Sequence, residues 1–126
     1  MALIVVDPRR VFEVKGQVCP LTQAVSNLAI GADQVVVAAV SGRRIRVMGW
    51  LIQSATGVVG TFNFKSGVGG PGIIGVFGAP PITAGVIDKL PIIDPGYAEC
   101  AVTTALVVDI ALAAVNINLF FIAYPP

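Results

Sequence analysis

The 126-residue sequence contains no histidine. That removes the usual general base near neutral pH, the commonest metal ligand and the partner in every Ser-His or Cys-His nucleophile pair. Cysteine is nearly absent as well. Cys19 and Cys100 make neither a metal-binding spacing nor a disulfide framework, so two free, buried thiols are the simplest reading, and nothing in the sequence requires a bridge.

Charge is the third scarcity. Only 12% of residues are charged, against about a quarter in ordinary globular domains, and the formal net charge is +1. Arg9-Arg10 and the Arg43-Arg44 pair with Arg46 have no aromatic residues interleaved, so they read as solvated edge or turn charges, and no nucleic-acid partner is expected. The carboxylates are Asp7, Glu13, Asp33, Asp88, Asp94, Glu99 and Asp109, most of them beside turn residues or on the polar face of a strand. Asp109 stands on an otherwise apolar strand and reads as half of an ion pair, with an arginine across the sheet or across an interface. No catalytic, cofactor-binding or metal-binding residue is predicted, no cofactor is expected, and the chain does not read as an enzyme.

Unbroken apolar helices are missing too. The charge-free run from Ser66 to Ile87 is interrupted throughout by glycine and by Pro71, Pro80 and Pro81, so no transmembrane helix and no membrane partner are expected. Its Gly67-Val-Gly-Gly-Pro-Gly72 stretch lacks the Lys-Ser/Thr of a phosphate-binding loop. Met1-Ala-Leu-Ile-Val-Val-Asp-Pro8 has no basic residues ahead of its apolar ones, which argues against a signal peptide and for a protein made and used without export.

What the chain has in surplus is apolar side chain, at 56%. Its length suits one domain, and one small core does not need that much, so burial between subunits is the expected outlet. The centre of the sequence, Gln34–Val40, Ser41-Gly42 and Arg43–Gln53, reads as two strands joined in a β-hairpin. In the second strand Ile45, Val47 and Leu51 share a face with Gly49. The other face begins with Arg44 and Arg46 but continues as Met48, Trp50 and Ile52. Val115–Tyr124 switches in the same way, from Asn116 and Asn118 to Phe120, Ile122 and Tyr124. Met48, Trp50, Ile52, Phe120, Ile122 and Tyr124 are therefore the predicted oligomer interface.

Val58–Lys65 and Ala105–Leu112 alternate, and further short strands are expected at Ile73–Phe77, Ile82–Ile87, Leu90–Ile93 and Tyr97–Val102, with turn signals about every eight to twelve residues. Eight to ten short strands without a convincing helix predict an all-β sandwich, best matched by a single jelly roll over 34–126. Residues 1–33 contain short apolar runs at Leu3–Val6 and Val11–Val14, split by Asp7-Pro8. They are predicted to form an extended N-terminal arm that reaches a neighbouring subunit.

Several stretches carry a resemblance: Val40-Ser-Gly-Arg-Arg-Ile-Arg-Val47, Phe64-Lys-Ser-Gly67, Thr104-Ala-Leu106 and Tyr124. Over about residues 34–124 the chain resembles small virion proteins of tailed bacteriophages that fold as one jelly roll and sit on the capsid as trimeric decoration, or cement, proteins. The resemblance implies a structural protein without chemistry: a homotrimer, with the major capsid protein as partner, made in the host cytoplasm and located on the capsid surface. Trimeric jelly rolls also form receptor- or glycan-binding tips of phage tail fibres, the alternative reading. Sugar binding would favour exposed aromatic platforms with amides or carboxylates nearby.

Overall fold

Two-residue periodicity runs through the sequence, and the chain answers it with strands. A computed structural model describes residues 3–93 and 95–126, with 3–10 described as backbone only, so the side chains of Asp7, Arg9 and Arg10 and all of Asp94 lie outside it. The strands are β1 (Leu3–Val14), β2 (Gln17–Leu28), β3 (Gly31–Val37), β4 (Arg44–Ser54), β5 (Gly60–Ser66), β6 (Gly72–Ala79), β7 (Asp88–Leu90), β8 (Ala98–Glu99), β9 (Leu106–Ala111) and β10 (Val115–Tyr124). Ile82–Ile87, expected as a strand, instead begins with a 3-10 turn at Ile82–Ala84 that follows Pro80-Pro81 and ends at Gly85 in the left-handed region (φ 70°). Among the described residues no helix is long and apolar enough to cross a membrane.

The strands form two antiparallel sheets, an arrangement consistent with a β-sandwich. One sheet runs β1-β2-β10-β4-β7, with β8 also on β4, and is curled; the other runs β3-β9-β5-β6. The predicted hairpin at 34–53 is not one: β3 pairs with β9 and β4 pairs with β10, so residues 38–43 cross between sheets. Turn chemistry at Ser41-Gly42 was real, since the Arg43 N–H donates to the Val40 carbonyl at 3.1 Å, but a tight turn does not dictate which strands pair.

The N-terminal arm needs the same correction. β2 is hydrogen-bonded to β1 on one side and to β10 on the other, so residues 17–28 sit inside the sheet, and a boundary at 33/34 would cut through β3. The two apolar runs of β1 belong to one strand whose register slips between Asp7 and Val11, where Pro8 removes a backbone donor.

A β-bulge explains why the apolar face of β4 changes sides. Gly49 pairs with Phe120 and Val47 with Phe121, so Met48 is an extra residue opposite a single step of β10. Side-chain parity flips there. Ile45 and Val47 before the bulge, and Trp50 and Ile52 after it, all face the one core between the sheets. They meet Phe62 and Phe64 of β5, Leu106, Val108 and Ile110 of β9, and Ile117, Leu119 and Phe121 of β10. Trp50 is its centre, 1% exposed, with ring centroids 5.4 Å from Phe62 and 5.5 Å from Phe64, and its indole N–H donates to Asp88 Oδ2 at 2.8 Å.

On β10 there is no compensating bulge, so Ile122 and Tyr124 point to the outer face of the curled sheet. There they form a second buried cluster with Cys19, Leu21 and Met48, packed by Phe12, Val14, Ile92 and Phe120. The predicted interface is thereby corrected. Trp50 and Ile52 belong to the main core; Met48, Ile122 and Tyr124 are sealed by β1, β2 and the segment after β7; and Phe120 is half-buried against them. The far half of β4 is covered, as its sequence demanded, by the same chain. Exposed area totals 6102 Å², close to the ~6,300 Å² expected for a compact monomer of this mass.

Candidate interaction surface

Strand directions gather the connections into two unlike ends. At one end lie the links 29–30, 55–59, 80–87 and 112–114, because β2, β4, β6 and β9 finish there and β3, β5, β7 and β10 begin there. They are tied together by backbone: the Ala55 N–H donates to the Ala114 carbonyl at 2.8 Å, the Ser54 N–H to Pro80 at 2.8 Å, and the Ile82 N–H to Thr56 at 2.9 Å. None of these links contains an ionisable side chain. They hold Ile30, Val58, Val59, Ile82, Val86 and Leu112 in solvent, with Leu112 67% and Val58 60% exposed.

The opposite end carries the charge. Arg43 donates to Gln17 Oε1 at 2.9 Å and to the Ala123 carbonyl at 3.1 Å, and Arg44 donates to the Cys100 carbonyl at 3.3 Å. Arg46 lies 4.2 Å above the Tyr124 ring and 3.3 Å from Glu99. Expected as solvated edge or turn charges, these three arginines are instead half-buried and each has partners within the chain.

Asp109 does pair, though with a lysine. Lys65 Nζ stands 2.5 Å from Asp33 Oδ1 and 3.2 Å from Asp109, while the Asp33 N–H donates to Asp109 at 2.8 Å and the Gly69 N–H to Asp33 at 2.9 Å. Asp33 is held at a φ of 53°, a left-handed conformation that aspartate tolerates better than most residues. The cluster pins the glycine-rich loop after β5 to β3. Hydrogen bonding to Lys65, then to the Gly69 N–H, holds the Asp33 carboxyl below its ordinary range, and the bond to Asp33 raises Lys65 above its own. A lowered carboxyl stabilises above its unfolded value and is lost as pH falls through the folded one; a raised lysine stabilises below its unfolded value and is lost as pH rises through the folded one. The clasp should therefore hold from roughly pH 4 to pH 10. Hydrogen exchange of the Gly69 amide, corrected for intrinsic rate, should show constant protection across that window, and Lys65→Met should make it exchange several-fold faster.

The outer face of the curled sheet is divided in two. Its half near the charged end is the sealed apolar cluster. The half near the uncharged end is an amide field: Asn116 of β10 lies between Asn27 of β2 and Gln53 of β4 in one cross-strand row, and Asn118 lies between Val25 and Leu51 in the next. Asn27 donates to Asn116 Oδ1 at 2.7 Å, Gln23 donates to Asn118, and Gln53 donates to the Val86 carbonyl at 3.0 Å. A cavity of about 390 Å³ opens over these rows, bordered by Ile87. Asn116 and Asn118 were visible in the sequence as a polar face; their alignment with Gln23, Asn27 and Gln53 depends on register between strands about 60 and 90 residues apart in the chain.

Both thiols are free and buried, and burial pushes Cys100 up to about 11, which keeps it protonated and inert near neutral pH. Among the described residues, no three His, Cys, Asp or Glu side chains come together as a metal-binding group. Compared with protein-family models, curated proteins and solved structures, the chain matches none.

Proposed function

We propose that this is a structural virion protein: a homotrimeric decoration, or cement, protein that docks on the major capsid lattice of a tailed bacteriophage and stabilises the finished shell. The observation that carries this reading is the uncharged end. Its linked loops expose Val58, Val59, Ile82 and Leu112 without one ionisable group among them, and an exposed apolar surface of this kind marks a contact. Such a surface suits docking on a lattice by shape. The free edge of β6 offers a second contact for neighbouring copies, since it carries no charge or internal proline and leaves Val76 69% and Phe77 38% exposed. A jelly roll is supported by strand order: with β1 and the two-residue β8 set aside, β2-β10-β4-β7 stands against β3-β9-β5-β6, eight antiparallel strands in the order that two nested Greek keys produce.

Light scattering should give three times the chain mass. Particles assembled without the protein should form normally but release their genome at a lower temperature, and purified protein added back should restore them. Binding to the lattice and not to its separated subunits shifts the balance by about 2.7 kcal/mol per site at a hundredfold excess over Kd. Leu112→Asp combined with Val58→Asp should abolish the rescue while leaving the melting of the free protein unchanged, and raised salt should weaken wild-type binding little. Equal heat release with and without the protein would rule out cementing.

A further inference from the structure

We infer that the amide field on the outer face of the curled sheet is a binding site for a neutral carbohydrate chain. The inference does not depend on where the protein sits on a virion. Five amide side chains, Gln23, Asn27, Gln53, Asn116 and Asn118, lie together on three hydrogen-bonded strands, with Val25, Leu51 and Ile87 interspersed. The amides fix one another. Asn27 donates to Asn116 and Gln23 to Asn118, which orients both acceptor residues and turns their own NH₂ groups toward other partners. Gln53 is held by the Val86 carbonyl, which likewise leaves its oxygen free to accept.

What such a face can bind follows from its chemistry. It offers donors and acceptors in nearly equal number, and the cavity over it is lined by no charged side chain. Nucleic acid would require cations to meet its phosphates, and the cavity provides none. A flat apolar protein surface would strand the amides without partners, at about 1–3 kcal/mol for each one buried. A sugar hydroxyl both donates and accepts and rotates to suit either end of an amide, while the C–H face of the ring packs on side chains such as Val25 and Leu51. At about 390 Å³ the cavity lies within the usual range for a small-ligand site. Its open form along the strands suits a chain held along its length more than a buried monosaccharide.

No aromatic side chain lines this cavity. Without stacking, affinity rests on the amides, which makes the test sharp. Hexasaccharides of α-1,4-glucose, β-1,4-glucose and β-1,4-N-acetylglucosamine are titrated into the isotope-labelled full chain, with polygalacturonate as an acidic comparison, and the side-chain NH₂ signals of Asn116 and Asn118 are followed. At least one neutral probe should shift those signals at millimolar concentration. Asn118→Ala and Gln53→Ala should each weaken that binding roughly tenfold while the chain stays folded by amide dispersion, as expected for losing one hydrogen bond of about 1.4 kcal/mol to the ligand. No shift with any neutral probe at 10 mM, or binding that survives both substitutions, overturns the inference. A change of oligomeric mass in Asn116→Arg would overturn it as well, by assigning the face to a second copy of the chain.

Discussion

Trp50→Ala should destabilise the folded chain by about 3–5 kcal/mol, the range for removing a large aromatic from a well-packed core. Trp50 lies between the sheets against Phe62, Phe64 and Phe77, with centroids 5.4, 5.5 and 5.6 Å away. A domain of this size has about 5–15 kcal/mol in total, so the variant should unfold at much lower denaturant while keeping a similar dependence on denaturant. Circular dichroism is the readout, because the substitution removes the chain's one tryptophan. The loss should not depend on protein concentration. A contact residue between subunits would behave differently, since dissociation follows mass action. Trp50→Phe separates packing from polarity: it keeps most of the ring contact but leaves Asp88, half-buried, without the indole donor, and it should cost much less than alanine. A Trp50→Ala protein within about 1 kcal/mol of wild type would show that the core is not organised around this ring.

The same residue shows how far the sequence could be read. Alternation at β4, β5, β9 and β10 marked the strands, and Phe62 and Phe64, written two apart, are buried as their spacing required. An all-β chain of two sheets follows from that periodicity. Partner choice does not. Gln34–Val40 and Arg43–Gln53 are adjacent in sequence and carry a turn between them, yet their strands join different sheets, because β9 and β10, more than 60 residues later, supply the better apolar partners. The change of face at Met48-Trp50-Ile52 was legible as a fact but not as a cause. A bulge and a second subunit leave the same mark on a single strand, and only the register against Phe120 and Phe121 separates them. Phe120-Ile122-Tyr124 is the complementary case, where parity is kept and the outward residues are buried by β2 and by Ile92. Asp109 was legible as an ion-pairing residue from its isolation on an apolar strand, and its partner's identity was set by the distant pairing of β5 with β9.

Because parity along β4 depends on one extra residue, deleting a single residue on either side of the bulge should have opposite consequences. Removing Met48 joins Val47 to Gly49 and leaves Val47, Trp50 and Ile52 all facing the core, now in strict alternation and in register with Phe121, Leu119 and Ile117. The deletion takes one side chain from the outer cluster, where Met48 is fully buried, and should cost about 2–5 kcal/mol, the range for truncating a buried methionine. The fold should survive. Removing Phe120 does the reverse: it doubles the mismatch opposite Met48 and turns every later residue of β10 over. Phe121 would leave the main core, and Ile122 and Tyr124 would be driven from the outer cluster into it. Two clusters lose their residues at once, so the loss should exceed the stability of the domain, and the chain should show no cooperative unfolding transition. Denaturation curves and amide dispersion of the two deletion variants, side by side, decide the matter. If both fold equally well, or if the Met48 deletion is the one that fails, the bulge is not what divides the outer face into a sealed apolar half and an open amide half.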